Sequence, residues 1–226
     1  MKSASYVTHA DLGGQRGHGR VQPEPEGALF HAPWEPRVLA LVLAAGAAGA
    51  WNLDMSRSAR ETLSDYARLS YYEIWFAALS KLLVQHGLVT PQEAASGRAH
   101  VSPRRLPRKL MASDVAAAMA RGSPTQRSIE QPARFAVGDV VQLFVGEIPH
   151  HTRLPRYMRG KVGIVERIHG PHVFADAHAL GRGEDPRWLY TVAVRGKDIW
   201  PTREDAREAE NLTVSIDAWE PYLEPV

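Results

Sequence analysis

Residues 150–163 of this 226-residue chain read His150-His151-Thr152-Arg153-Leu154-Pro155-Arg156-Tyr157-Met158-Arg159-Gly160-Lys161-Val162-Gly163. Four cations and a proline-set turn precede Val162, Ile164 and Val165, whose alternation predicts a strand that enters a sheet. Cations at the mouth of a small β-domain usually meet an anion. The alternative is a solvated turn whose charges only keep the domain soluble. The stretch therefore predicts a β-domain that presents positive charge at one end.

Other apolar runs on both sides of this stretch extend the predicted β-domain. A Gly138-Asp139 turn leads into a run that ends at Phe144, the second run covers 162–168, and two more cover 189–194 and 212–216. These strands are short, and no helix between them is strong enough to form a crossover connection. The spacing therefore predicts a small antiparallel barrel.

The first half of the chain differs in composition. Residues 1–30 are rich in glycine and proline and poor in large apolar side chains, so we expect an extended arm that lies on another surface. Residues 38–45 are apolar nearly all round, which predicts a helix buried in the core or against a partner chain. Further helices are predicted after Asn52 or Asp54, over 71–83, and after Thr90 and Ser113.

These elements predict an α+β protein with three parts: an extended N-terminal arm at 1–30, a helical N-terminal domain at 31–125 and a C-terminal β-domain at 126–226. The 27 Lys and Arg nearly balance the 25 Asp and Glu, which argues against a protein that coats nucleic acid. With no cysteine, the chain has no thiolate ligand or nucleophile. Since no signal peptide or membrane-length apolar run is evident, we expect a cytoplasmic, soluble protein.

Several short motifs occur in a shared order along nearly the whole chain, which resembles the beta subunit family of nitrile hydratases. The motifs are Asp11-Leu12-Gly13-Gly14, Phe30-His31-Ala32-Pro33-Trp34-Glu35, Asp54-Met55-Ser56-Arg57, Ser70-Tyr71-Tyr72 with Trp75, His151-Thr152-Arg153, Tyr157-Met158-Arg159-Gly160-Lys161, Gly181-Arg182-Gly183-Glu184-Asp185-Pro186 and Trp219-Glu220-Pro221-Tyr222. Each motif is weak by itself, and their common order is specific.

The resemblance implies an enzyme that hydrates a small-molecule nitrile to an amide. It implies a heterodimer, or a heterotetramer, with an alpha subunit that binds non-haem Fe(III) or Co(III) through a Cys-x-x-Cys-Ser-Cys run. Two of those cysteines are oxidised in the family. The resemblance also implies that the arm wraps the alpha subunit and that the β-domain is an SH3-like antiparallel β-barrel. This chain then binds no metal, no nucleic acid and no membrane.

Arg57 and Arg153 match the family positions whose guanidinium groups bind the oxidised cysteines. Leu53, Tyr71 and Trp75 match positions that line the nitrile pocket, and the Tyr71 hydroxyl is a candidate donor to substrate or water. Spacing alone favours plainer roles. Arg57 then pairs with Glu61 on a helix, Arg153 is a turn cation and the aromatic side chains pack in the core.

Two positions depart from the family pattern, since Ile74 stands where members often have His and Ser56 where cobalt-type members can have Phe. Both departures predict a pocket of different shape.

We expect His151 to shape its turn or make a supporting hydrogen bond and not to act as a base. His169 and His172 have a metal-like spacing, without nearby carboxylates that would complete a zinc or copper site.

Three alternatives use the same residues differently. The first is a metallochaperone or activator protein, which resembles only the helical half, and the second is a thiocyanate hydrolase, which carries the two halves on separate chains. The third is a nucleic-acid-binding module that uses the barrel and the basic cluster 104–109. No aromatic side chains interleave with that cluster, which disfavours the third alternative.

Overall fold

The computed structural model describes residues 6–15, 17–27, 29–106, 108–201 and 209–226. The chain forms two compact units, Met1–Ser123 and Pro124–Val226. The first is helical and the second is built on an antiparallel sheet, so the chain is α+β. Of the predicted arm, residues 1–5, 16 and 28 lie outside the described residues.

The described residues of the first unit include five α-helices. Their bounds are α1 Glu35–Ala47, α2 Leu53–Glu61, α3 Tyr71–Gln85, α4 Pro91–Ser96 and α5 Val115–Arg121. The small core between α2 and α3 consists of Ala59, Ala78 and Leu82, with Trp51 and Leu63 packed against it. On α1 only Glu35 and Val38 are buried and Leu41 is 46% exposed, so much of this apolar helix stays uncovered within the described residues.

Local capping explains where these helices begin. The Asn52 side chain accepts a hydrogen bond from Met55 N at 2.9 Å, and this bond starts α2. At α4, Thr90 N donates to Glu93 Oε2 and Glu93 N donates to Thr90 Oγ1, as in a capping box. Hydrogen bonds from the backbone of Thr90 and then of His100 lower the pKa of Glu93 to about 2. The caps confirm the predicted starts of both helices.

The second unit contains a five-stranded sheet with the order β4-β3-β2-β1-β5, in which all neighbours are antiparallel. The strands are β1 Val140–Leu143, β2 Val162–His172, β3 Arg187–Arg195, β4 Thr213–Trp219 and β5 Leu223–Pro225. A 3-10 turn, Glu220–Tyr222, joins β4 to β5. Within the described residues no pairing joins the two edge strands, β4 and β5, so the barrel that the spacing predicted is not confirmed.

Alternating side chains of the strands fill the core of this unit. Along β3, Tyr190, Val192 and Val194 are fully buried, and Val141 and Leu143 of β1 lie in the same core. Among the described residues, the short helices α6 Ala175–Ala179 and α7 Gly196–Ile199 lie between the strands. Sequence patterns missed α6, α7 and β5, because each is too short to show a period.

None of the helices in the described part of the chain is both long enough and apolar enough to cross a membrane.

Candidate functional site

On helix α2, Arg57 forms an ion pair with a buried carboxylate. Arg57 Nη1 donates to Asp54 Oδ1 at 2.9 Å, and the Asp54 side chain is only 7% exposed whereas that of Arg57 is 38% exposed. The ion-pair partner of Arg57 is therefore Asp54, three positions earlier in the chain. Spacing alone had suggested Glu61, four positions later. Because Asp54 binds Nη1 of Arg57, the guanidinium is held in place while part of the side chain stays open to solvent.

Aromatic side chains on α3 form a patch beside α2. The ring centroids of Tyr71 and Trp75 lie 5.3 Å apart, those of Tyr71 and Tyr72 lie 5.2 Å apart, and Phe30 reaches Tyr72 at 5.5 Å. Tyr71 is 64% exposed, so the patch is not a closed core as the plainer interpretation required. Leu53, on the first turn of α2, is 47% exposed.

Arg60 joins the two helices, and sequence analysis did not single it out. Its guanidinium lies 5.1 Å from the ring centroid of Trp75, a cation–π contact. Burial, and then the positive charge of Arg57, lower the pKa of Arg60 below its usual value. A narrow cavity between the helices is lined by Arg60, Trp75 and Ser56 among others. The signal in the sequence was the spacing of Arg57 and Arg60, which places two cations on adjacent turns of α2.

In the second unit, the turn at 150–159 carries Arg153, which is exposed, between Thr152 and the buried Leu154. The four cations of residues 150–163 divide into two pairs. Arg159 is bound to Gly146 O and to Glu147, and Lys161 Nζ donates to Asp198 O at 3.0 Å. The side chain of Arg159 is only 9% exposed, so it is part of the folded domain and not a solvated charge. Arg153 and Arg156 are the two that face outward.

The hydroxyl of a buried tyrosine, Tyr222, is hydrogen-bonded to this turn. The Tyr222 hydroxyl accepts hydrogen bonds from Thr152 Oγ1 at 3.0 Å and from Arg153 N at 3.2 Å, and it donates to Asp176 Oδ1. Burial, followed by the Asp176 carboxylate, raises the pKa of Tyr222 well above its usual value. Burial also raises the pKa of Asp176, against the opposing effects of the Tyr222 hydroxyl and His150.

Next to this cluster lies a cavity of about 590 Å³. His150, Asp176 and Tyr222 contribute to its polar side, and Phe144, Phe174 and Leu180 are among its apolar walls. His151 is 1% exposed, which places it inside the domain beneath the turn.

The two histidines with metal-like spacing have protein partners. His169 Nε2 lies 2.6 Å from Thr191 Oγ1 and 3.4 Å from Asp217, and His172 Nδ1 lies 3.0 Å from Thr125 Oγ1. Across the described ranges, no group of three or more His, Asp or Glu side chains is arranged to hold a metal ion.

The structure thus brings four of the predicted residues into one unit. Leu53 and Arg57 lie on α2, and Tyr71 and Trp75 on the adjacent helix α3, with Arg60 between them. Arg153 lies in the other unit.

Comparison with known proteins gives the same family for both units. The family model for the N-terminal part of the nitrile hydratase beta subunit matches residues 7–127, and the model for its C-terminal part matches residues 124–225. The two models together span nearly the whole chain.

Individual relatives agree. The low-molecular weight cobalt-containing nitrile hydratase subunit beta of Rhodococcus rhodochrous is 36% identical over 225 residues, which cover 95% of this chain and 97% of that protein. The nitrile hydratase subunit beta of Pseudomonas putida is 35% identical, with the same coverage of both chains. The thiocyanate hydrolase subunit alpha of Thiobacillus thioparus is 32% identical over 94 residues, which cover 41% of this chain and 71% of that protein. The two family models and the two nitrile hydratase relatives span nearly the whole chain, so the chain belongs to the family of nitrile hydratase beta subunits.

Proposed function

We propose that this chain pairs with an alpha subunit to form an enzyme that hydrates nitriles to amides. The match to both halves of the beta-subunit family, with relatives that cover 95% of the chain, carries the proposal. An activator protein that resembles only the helical half leaves residues 124–225 unexplained. A thiocyanate hydrolase is the second candidate, and it is less favoured because that match covers only 41% of the chain.

The metal of such an enzyme is assigned to the alpha subunit. This chain has no cysteine, and its described residues include no group of His, Asp and Glu suited to a metal ion, so its own side chains do not fit a resident metal. Two relatives are named cobalt-containing, which supports Co(III), with Fe(III) as the alternative. On the alpha subunit, the ion supplies Lewis-acid polarisation of the nitrile.

Within this assembly, Arg57 and Arg153 bind the oxidised cysteines of the alpha subunit. A guanidinium suits this role because it stays charged and presents parallel donors to oxygen atoms. Two observations support the assignment. The Arg57 guanidinium is anchored by Asp54 and remains 38% exposed, and Arg153 projects from a turn whose backbone is fixed by Tyr222.

Tyr71, Trp75 and Leu53 form this chain's part of the nitrile pocket. The exposure of Tyr71 and Leu53 in the isolated chain supports the assignment, since a pocket shared between two subunits leaves its walls open when one subunit is absent, and Trp75 lies half-buried behind Tyr71. Tyr71 is the polar member of the group, and its hydroxyl is suited to orient a bound nitrile or water. Trp75 is held by Arg60, which fixes the ring.

At the level of the fold, we propose that the five strands form an SH3-like barrel. We also propose that the chain has two domains, at residues 31–125 and 126–226, and that residues 1–30 wrap the alpha subunit. The strand order and the 3-10 turn between β4 and β5 support the barrel. The described part of the arm has no helix or strand, and it contacts the end of α2 through a hydrogen bond from His9 N to Glu61 O at 2.7 Å. A heterodimer is the smallest assembly, and it can double to a heterotetramer.

The test is to purify this chain alone and together with an alpha subunit that carries a Cys-x-x-Cys-Ser-Cys run. We expect the complex to convert nitrile to amide, and the chain alone to show neither turnover nor stoichiometric cobalt or iron. Thiocyanate serves as the competing substrate. Nitrile hydration by the chain alone would refute the two-subunit proposal, and a complex that consumes thiocyanate but no nitrile would favour the second candidate.

A further inference from the structure

The Tyr222 hydroxyl fixes the backbone on one side of Arg153. A phenol offers one proton and two acceptor lone pairs. Its proton goes to Asp176 Oδ1, which leaves the lone pairs for Thr152 Oγ1 and Arg153 N, at 3.0 Å and 3.2 Å. Tyr222 is 3% exposed and Asp176 4%, so both groups depend on these bonds more than an exposed pair would.

The other side of Arg153 is fixed as well. Leu154 N donates to Thr152 Oγ1 at 3.3 Å, and Leu154 is 2% exposed in the core. Since the direction of a Cα–Cβ bond follows from the positions of the backbone atoms on either side, these contacts set the direction in which the Arg153 side chain leaves the turn.

We propose that Tyr222 and Asp176 are positioning residues of the enzyme, which act by holding the Thr152–Arg153 backbone so that the Arg153 guanidinium is aimed at its anionic partner. The inference rests on the proposed function, and it adds to that function two residues that never need to touch substrate or metal. Asp176 acts directly, through its own hydrogen bond with the Thr152 side chain, and also through Tyr222, because it takes the Tyr222 proton and so leaves both lone pairs of the hydroxyl for the turn.

The same unit contains a matched control. The Tyr190 hydroxyl also lies in the β-domain core, where it accepts a hydrogen bond from Arg134 N at 3.2 Å and donates to Glu220 Oε2 at 2.6 Å. Like Tyr222, Tyr190 accepts a hydrogen bond from a backbone N–H and donates one to a carboxylate, but the backbone it holds is that of Arg134 and not the Arg153 turn. Loss of the Tyr190 hydroxyl costs less, because Arg134 N keeps an acceptor in Glu220 Oε2 at 3.0 Å, so kcat is compared after the free energy of unfolding of each variant has been measured.

The experiment compares Tyr222→Phe with Tyr190→Phe in the complex with the alpha subunit. We expect Tyr222→Phe to lower kcat about tenfold with KM within about twofold, because a misaimed donor affects the reacting geometry more than binding. We expect Tyr190→Phe to leave kcat within about twofold of wild type. Equal effects of the two substitutions on kcat would overturn the inference.

A double substitution separates action through Arg153 from a general effect. If Tyr222 acts through Arg153, Tyr222→Phe added to Arg153→Lys lowers kcat by less than about twofold further. Full multiplication of the two single effects would contradict the inference. Amide hydrogen exchange supplies a readout independent of turnover: exchange at residues 152–154 should accelerate in Tyr222→Phe and not in Tyr190→Phe.

Asp176 keeps the inference testable if Tyr222→Phe fails to assemble. Asp176→Asn retains an acceptor for the Tyr222 proton and should keep most of kcat, whereas Asp176→Ala should lower kcat to the level of Tyr222→Phe. Equal kcat in both Asp176 variants would overturn the role of the acceptor. An inactive wild-type complex would refute the proposed function and this inference together, whereas an active complex with equal tyrosine variants would refute only this inference.

Discussion

Replacement of Arg57 by lysine separates its two bonding roles. Arg57 Nη1 binds Asp54 Oδ1 at 2.9 Å. A charged hydrogen bond contributes about 1.5–3 kcal/mol. Because the Arg57 side chain is 38% exposed, solvent screening reduces the loss in Arg57→Ala to about 1–2 kcal/mol of the free energy of unfolding. Arg57→Lys keeps a cation beside Asp54, so we expect it to lose less than about 1 kcal/mol.

Catalysis should respond more strongly than stability. A lysine ammonium held by Asp54 is a compact point charge and cannot reproduce the planar fork of the guanidinium toward a second anion. We therefore expect Arg57→Lys to lower kcat at least about tenfold, a loss of about 1.4 kcal/mol of transition-state stabilisation.

The assay is steady-state nitrile hydration by the purified complex, combined with urea unfolding of this chain. Arg104→Lys is the matched control, because Arg104 lies in the same unit and Nη1 donates to His86 O at 3.1 Å. It should leave kcat unchanged. The reasoning is refuted if Arg57→Lys retains kcat within about twofold of wild type, or if both lysine variants lose activity equally.

Three further predictions concern single positions. The Glu93 pKa falls from 4.5 to about 2 on folding, so its stabilising effect is present above about pH 4.5 and is lost as pH falls toward about 2. The Tm difference between wild type and Glu93→Gln, measured by circular dichroism, should therefore shrink over this pH range. A Cβ at Gly163 would lie 2.7 Å from a carbonyl oxygen of β3, so Gly163→Ala should cost about 2–3 kcal/mol in urea unfolding, whereas Gly46→Ala meets no atom within 4 Å and should not destabilise. Tyr71→Phe should lower kcat/KM for nitriles about tenfold with unchanged Tm, and Tyr72→Phe should leave kcat/KM unchanged.

Helix starts were predictable because the interactions that set them span three residues. The bond between Met55 N and Asn52, and the reciprocal bonds of Thr90 and Glu93, need no information from elsewhere in the chain. The helix predicted to begin at Ser113 shows the limit of this reasoning. It begins at Val115, after a 3-10 turn, and the Ser113 hydroxyl donates to the Asp114 side chain.

Contacts between distant segments were beyond sequence patterns. Tyr222 reaches Asp176 and Thr152 across 46 and 70 positions, and no periodicity encodes such a meeting. The choice of Asp54 over Glu61 as the partner of Arg57 likewise depends on which carboxylate the packing of α2 buries. Family motifs located Arg57 and Arg153, whereas the hydrogen bonds that orient them required the fold.

The bond between Arg153 N and the Tyr222 hydroxyl also sets an order of events during synthesis. The ribosome delivers Arg153 well before Tyr222, because 69 positions separate them. Strands β2, β3 and β4 all precede Tyr222, so the residues that pair them are delivered before its hydroxyl. The Arg153 turn nevertheless lacks its buried acceptor until Tyr222 is delivered. A truncated chain that ends before Tyr222 would therefore carry these strands without the acceptor that fixes the Arg153 backbone.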